Sequence, residues 1–352
     1  MSKGFTLKQY VGALFLDLPF YVFKLLYNNN HNTRHSWIGI RNRKEQLVAS
    51  ANGEGVKCNW KWTSDLYLPK VFPIVGRWLF RCATKDSPII LEKRSRLLEA
   101  ENPDVSFIIG HRGFERLPLL LAILKSIRGQ TGCRIECIVV EQDNDEVIKR
   151  HLPEWVRYIY SPLPVKGMCY SRSWAFNVGA KVAKSPFLIF HDSDMLVPAV
   201  YAKDLLHYDQ QGFDFINIKR FIFYLNKASS MDLVETGDFN GKPEFDAIVQ
   251  NLEAGGSFGA GRQAYFDIGG FDERFIGWGG EDNEFWERAQ TKKVYPYGYL
   301  PLVHLWHEPQ HEKQLGASAA TKRLFEKLTR KDPFYRIQHL KDSHVCSIVH
   351  GD

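Results

Sequence analysis

The chain is poor in cysteine, with six in 352 residues: Cys58, Cys82, Cys133, Cys137, Cys169 and Cys346. They are too few and too scattered for a disulfide framework. Cys133 and Cys137 flank an apolar run that reads as a strand, where a thiol belongs to the core rather than to a metal. A long unbroken apolar run is missing as well. Residues 10–27 come nearest, but Asp17, Pro19 and Lys24 interrupt them, and two mid-span charges would cost about 5–7 kcal/mol on insertion into a bilayer. No apolar stretch with a small-residue cleavage site follows Met1-Ser2-Lys3. The expectation is a reduced, cytoplasmic protein. Neither G-x-G-x-x-G nor G-x-x-x-x-G-K-[ST] occurs, so a dinucleotide fingerprint and a P-loop are both absent. The net charge is only +6, which argues against a dedicated nucleic-acid binder. There is no internal repeat or low-complexity tract.

What charge there is lies unevenly. Residues 1–100 carry 16 Lys and Arg against 7 Asp and Glu, while the remainder carries 30 against 33. A basic N-terminal part suits an acidic surface as partner. Leu7, Tyr10, Val11, Leu14, Phe15, Leu18, Tyr21, Val22, Leu25 and Leu26 follow the three-four rhythm of one helix face. The spacing predicts an amphipathic helix near 7–26. That face either packs on the main domain or rests on an anionic membrane, helped by Arg41, Arg43 and Lys44 and by Lys93-Arg94-Ser95-Arg96. Residues 28–103 are irregular and aromatic-rich, with Trp37, Trp60, Trp62 and Trp78, and suggest no fold.

From Val105 the pattern changes. Val105–Ile109 is a short apolar run ending at Gly110, Glu115–Ile127 is amphipathic at helical spacing, and Arg134–Val140 is a second strand-like run. An acidic loop and a short helix lead to Tyr158–Tyr160, then a helix over Tyr170–Ala183 and a fourth strand at Phe187–Phe190. Strands alternating with helices imply right-handed βαβ units and a mostly parallel sheet flanked by helices. In such sheets ligands bind beyond the carboxyl ends of the strands. The candidate residues are therefore His111 and Arg112, Glu141-Gln142-Asp143, and His191-Asp192-Ser193-Asp194.

Asp-x-Asp occurs twice. Asp192-Ser193-Asp194 directly follows Phe-Leu-Ile-Phe, and carboxylates just past a buried strand offer hard oxygen donors for Mg²⁺ or Mn²⁺ on a diphosphate. Asp143-Asn144-Asp145, between Glu141 and Glu146, reads as a solvated acidic turn. A second cluster runs from Gly255 to Gly261, through Gly269-Gly270-Phe271-Asp272-Glu273, to Gly277-Trp278-Gly279-Gly280-Glu281-Asp282. Glycines there allow close backbone approach to a ligand. Trp278 offers a flat face for a sugar ring, and a carboxylate at a helix start can take a proton from an attacking hydroxyl. Last come His304 and His307, with His311 beyond; either or both could complete a metal shell begun by Asp194.

Together these segments resemble the GT-A glycosyltransferases, in particular the β-1,4-galactosyltransferase family and relatives of the chondroitin-polymerase and polypeptide N-acetylgalactosaminyltransferase types. The resemblance rests on Phe107-Ile108-Ile109-Gly110-His111-Arg112, on Phe176-Asn177-Val178-Gly179-Ala180 followed by Asp192-Ser193-Asp194, and most specifically on Gly277–Asp282. It covers residues 104–310, leaving a basic, mainly helical or irregular extension at 1–103 and a helical tail at 311–352. It implies a Rossmann-like GT-A domain and a nucleotide-sugar site with His111, Arg112, Glu141, Arg172, Asp192 and Ser193. It also implies a donor-acceptor pocket at Trp278, Gly279 and Gly280. Asp194, with Asp192 and with His304 or His307, would hold Mn²⁺ or Mg²⁺, and Asp282, next to Glu281, would be the inverting base. The implied partners are a UDP-sugar donor and a glycan acceptor, free or lipid-linked, at the inner face of a membrane. Golgi members carry a transmembrane anchor and lumenal disulfides, which this chain lacks. A retaining transferase of the same fold and a non-catalytic sugar-binding module are the alternatives.

Overall fold

The computed structural model describes residues 5–27, 36–59, 64–92, 102–239, 242–250, 253–309 and 318–349. Lys93-Arg94-Ser95-Arg96, Trp60, Trp62 and His311 lie outside the described residues. The central sheet has seven strands in the order Val294–Tyr295, Phe215–Ile216, Ser257–Gly261, Phe187–Asp192, Val105–His111, Ile135–Glu141 and Val156–Tyr160. The four strands of the expected alternating region are mutually parallel. Ser257–Gly261 joins antiparallel to Phe187–Asp192. The strand Val105–His111 is buried along its whole length and serves two cores at once. Phe107 and Ile109 face one, Ile108 the other, as the two-residue period of a strand requires.

Helix Leu117–Arg128 covers the first face with Leu117, Leu120, Ile123, Leu124 and Ile127. Helix Arg172–Val182 covers the second. It starts at Ser171, whose hydroxyl accepts the Trp174 N–H, and Gly179 lets it lie against the sheet, because a Cβ there would overlap Ile108. Of the boundaries that differ from the sequence reading, two bear on the site. Pairing with Gly110 and with Ser257 extends the fourth strand through Asp192. A 3₁₀ turn at Phe114–Arg116 delays the first helix to Leu117, and this turns Arg116 towards the strand ends instead of onto a helix surface.

A second sheet of five strands runs in the order Ser64–Asp65, Phe245–Gln250, Lys219–Leu225, Leu300–His304 and Met195–Leu196. The N-terminal region is built into it. Ser64–Asp65 pairs with Val249 and Gln250, and helix Pro73–Asp86 sets Phe80 edge-on against Phe223 at 5.1 Å. The buried Arg220 guanidinium donates to the carbonyls of Ile38 (2.7 Å) and Ile40 (2.5 Å). Glu45, also buried, accepts from Asn42, Ser64 and Gln250. Residues expected to be irregular thus form short strands and a helix on a shared core.

The first helix is continuous from Leu7 to Tyr27 through a π-helical stretch at Ala13–Asp17. Only part of its apolar surface is covered: Ala13 and Tyr21 are buried, and Leu18 and Phe20 pack at the margin. Leu7, Val11, Leu14, Phe15, Leu16, Val22 and Phe23 face outward, Leu7 79% and Phe15 69% exposed. Among the described residues no helix is long and apolar enough to cross a membrane. At the other end, helices Ser318–Leu328 and Pro333–Val349 pack on helix Glu281–Ala289.

Candidate active site

The carboxyl ends of the parallel strands meet the ends of the second sheet at a cavity of about 880 Å³. Arg112, Arg116, Asp143, Tyr170, Ser193 and His307 line it on the strand side. Met231, Val234, Trp306 and Pro309 make a more apolar opposite wall. Gly110 gives the first strand its close fit there, since a Cβ would overlap the Tyr170 hydroxyl.

Asp194 sits in the turn between Phe187–Asp192 and Met195–Leu196 and is 7% exposed. Its Oδ2 lies 3.3 Å from His307 Nε2 and its Oδ1 3.8 Å from His304 Nε2. One ligand atom from each of the three residues falls within 4.8 Å of the others, a candidate metal site. Both histidines, not one, converge on Asp194. His304 ends the strand Leu300–His304 and stacks on Tyr224 at 4.4 Å. Burial lowers its imidazole to about 4, which leaves it neutral and able to ligate at neutral pH. Burial alone would raise the Asp194 carboxyl, but His304, His307 and Arg116 outweigh it and hold it well below the ordinary carboxylate range. Two imidazoles and a carboxylate form a mixed N/O donor set that fits a first-row divalent ion. Asp192, the expected second ligand, is outside this cluster.

Asp192 instead faces Arg172. The Arg172 Nε donates to Asp192 Oδ1 at 2.6 Å, and its Nη1 donates to Asp282 Oδ1. One guanidinium thus joins the aspartate motif to the glycine-tryptophan motif, whose Asp282 lies 110 residues beyond Arg172. It rests over the Phe176 ring at 4.5 Å, one turn along its own helix, and its Nη2 is buried with no partner in the protein. Desolvation, with Asp194 and Asp282 nearby, raises Asp192 to about 6 despite Arg172.

Glu281 and Asp282 open helix Glu281–Ala289 after three residues in the left-handed region, Gly277, Gly279 and Gly280. Positive φ there is what only glycine adopts without strain. Glu281 accepts the Gly279 N–H at 3.0 Å, and burial followed by the Asp282 charge raises it to about 7. Trp278 is 44% exposed, and its carbonyl accepts the Thr321 hydroxyl at 2.9 Å. Deeper in the helix, Glu284 is buried between Arg288 (2.7 Å) and Arg336 (3.1 Å).

Of the six expected nucleotide contacts, Arg172 and Asp192 pair with each other and do not line the cavity, and two more turn elsewhere. Glu141 is buried and accepts from the Tyr158 hydroxyl and from the N–H groups of Val147 and Ile148; it holds the acidic loop and is not among the residues lining the cavity. His111 is buried against the Gly113 carbonyl at 2.9 Å, with its pKa lowered to about 4 by burial. Arg112 and Ser193 do line the cavity, and Arg112 donates to the Met168 carbonyl at 2.6 Å. Asp143, expected as a solvated turn, lines it too and accepts the Gly113 N–H at 3.2 Å. Arg116, absent from the sequence reading, makes a 2.7 Å ion pair with Asp194.

Residues 114–272 match the family model described as glycosyl transferase family 2. Residues 249–302, which include the glycine-tryptophan motif, match the model described as the N-terminal domain of galactosyltransferase. No curated protein matches the chain. Solved structures similar to it include a mannosyltransferase from Pyrobaculum calidifontis in complex with GDP-Man and Mn²⁺, 14% identical over 76% of each chain with a TM-score of 0.45. Another is TarS 1–349 of S. aureus in complex with UDP-GlcNAc, 16% identical over 60% of each chain with a TM-score of 0.42. Likenesses this loose carry no residue correspondence. The first sequence model spans the aspartate motif and the second the glycine turn, and together they identify the chain as a GT-A glycosyltransferase similar to families 2 and 7.

Proposed function

We propose that the protein is an inverting, metal-dependent transferase that moves a sugar from a UDP-sugar to a hydroxyl of a glycan, in the assembly of a surface polysaccharide. The observation that carries this is the linking of two unlike clusters through Arg172; Trp278 and Asp282 are not among the residues lining the cavity. Asp194, His304 and His307 form a metal-ligand cluster at one end, and Asp282 stands at the other, joined to Asp192 by a single guanidinium. The histidines favour Mn²⁺ over Mg²⁺, which prefers oxygen ligands and retained water. When bound, the ion supplies charge neutralisation to the leaving diphosphate. Arg112 and Asp143 line the cavity where a nucleotide would lie. Asp282 accepts the proton of the acceptor hydroxyl as that oxygen attacks the anomeric carbon from the face opposite the leaving group. Trp278 gives the sugar a flat apolar surface. A panel of nucleotide sugars, assayed for transfer or hydrolysis with and without EDTA, tests this. Turnover of one UDP-sugar that stops with EDTA and returns with Mn²⁺ is expected; metal-independent turnover would reject the assignment. A retained anomeric configuration in the product would make the enzyme retaining and remove the base role from Asp282.

We further infer that the first helix rests on an anionic membrane at the cytoplasmic face, where a lipid-linked glycan would be met. The support is the outward row from Leu7 to Phe23, flanked by the exposed Lys8, Arg43 and Lys44. Each basic residue near such a surface contributes about 1 kcal/mol. The protein should sediment with phosphatidylserine vesicles at low salt, release at high salt, and lose the binding when residues 1–27 are deleted. Full-length protein that stays in the supernatant at low salt would refute it.

A further inference from the structure

The geometry points to Arg116 as a built-in counter-cation that occupies the metal site's charge and must leave Asp194 before a divalent ion can load. This rests on the metal reading above and adds to it a residue whose role is to oppose metal binding until an anion arrives.

The Arg116 Nη2 lies 2.7 Å from Asp194 Oδ2, the same oxygen that His307 Nε2 approaches at 3.3 Å. An ion placed among Asp194, His304 and His307 would compete with the guanidinium for the same carboxylate. Two cations a few ångströms apart in a desolvated crevice repel strongly, so guanidinium and metal are alternatives at Asp194. The rest of the side chain is poorly tied. Its Nε is buried and has no hydrogen-bond partner, an uncommon state for a group that is settled. The residue also lines the large cavity beside Arg112 and Tyr170, which leaves space to swing into. Its backbone is fixed, with the N–H on the Gly113 carbonyl at 3.3 Å and Leu117 starting a helix. Movement is therefore confined to the side chain. Once released, the guanidinium stands over the cavity that a diphosphate would fill, and guanidinium–phosphate pairing is strong and directional. Metal and diphosphate then favour each other reciprocally. With no diphosphate present, the Arg116–Asp194 pair resists the ion.

The experiment is a titration of Mn²⁺ alone into wild type, Arg116→Gln and Arg116→Lys, with free Mn²⁺ read by electron paramagnetic resonance. Glutamine keeps bulk and polarity but not charge, and should tighten Mn²⁺ binding by about tenfold. Lysine, which keeps the charge without the planar fork, should fall between. Adding UDP should then tighten Mn²⁺ binding clearly more in wild type than in Arg116→Gln. Equal or weaker Mn²⁺ affinity in Arg116→Gln, or equal tightening by UDP in both proteins, would overturn the inference and leave Arg116 a structural partner of Asp194. Should Arg116→Gln fail to fold, Arg116→Lys carries the same expectation at smaller amplitude. Asp194→Ala separates the two levels of the argument: Mn²⁺ binding that survives it lies elsewhere and overturns the metal reading itself.

Discussion

In the candidate metal cluster, at one end of the site, the side chains able to ligate come from strand ends and the turn or short segment just beyond them: Asp194 after Phe187–Asp192, His304 closing Leu300–His304, His307 three residues on. At the other end Trp278, Glu281 and Asp282 ride on a turn held in the left-handed region by three glycines. Each end has an aspartate facing an arginine, Asp194 with Arg116 and Asp282 with Arg172. The surroundings differ. Asp194 is nearly enclosed and has two imidazoles beside it, whereas the side chain of Asp282 keeps 27% of its surface open and has Arg172 for its ion-pair partner. A sheet edge fixes ligands in advance, as a cation site requires. A glycine turn fixes a backbone path and leaves the carboxylate partly open.

The largest effect expected is at the open end. Asp282→Asn keeps shape and the contact with Arg172 but removes the proton acceptor, and turnover should fall by about 10²–10⁴. Mn²⁺ affinity should stay near wild type if the two ends work separately. A matching loss of Mn²⁺ affinity would show that the Arg172 bridge makes them one unit.

Next comes the pH dependence of Glu281. Its carboxyl is raised from 4.5 to about 7, first by burial and then by Asp282. Between those values the folded state holds a proton that the unfolded chain has lost. The contribution of Glu281 to stability therefore falls as pH rises from 4.5 to 7 and is level above, by up to about 3 kcal/mol. Glu281→Gln should flatten that slope in urea melts compared at pH 5 and pH 8, and should raise stability at pH 8. An unchanged slope would place the pH sensitivity elsewhere.

The smallest effect expected is at Gly280. Its φ is 93°, and a Cβ would press on Phe325 at 3.1 Å and Phe275 at 3.2 Å. Gly280→Ala should cost about 1–2 kcal/mol from the left-handed backbone and should lower turnover while leaving Mn²⁺ affinity alone. A metal defect here would erase the contrast between the ends.

Much of this was legible in the sequence where a period or a dense motif marked it. The four parallel strands announced themselves as short apolar runs between helical spacings, and strand ends then located Arg112, Asp192, Ser193 and Asp194. The glycine run pointed to Trp278, Glu281 and Asp282 because so many flexible residues around one aromatic need a reason beyond packing. What stayed hidden depends on long-range pairing. Arg116 looked like a helix-surface residue until a 3₁₀ turn shifted the helix start. The choice between His304 and His307 could not be made from their spacing, since a strand end and the segment after it bring both to the same carboxylate. Glu141 sat at the right strand end but satisfies a loop, a decision made by Tyr158 and two backbone N–H groups. Residues 36–92 gave no signal because their strands are two or three residues long and main supports lie about 180 residues away, Val249 against Asp65 and Arg220 against Ile38 and Ile40.

The glycine turn is braced from outside the sheet. Thr321 holds the Trp278 carbonyl, Phe325 packs against Gly280, and Arg336 reaches Glu284 and Glu287. The glycine turn therefore leans on two helices that supply no residue to the Asp194 cluster, so loss of residues 318–349 would strip the support from one end of the site and none of the ligand atoms from the other.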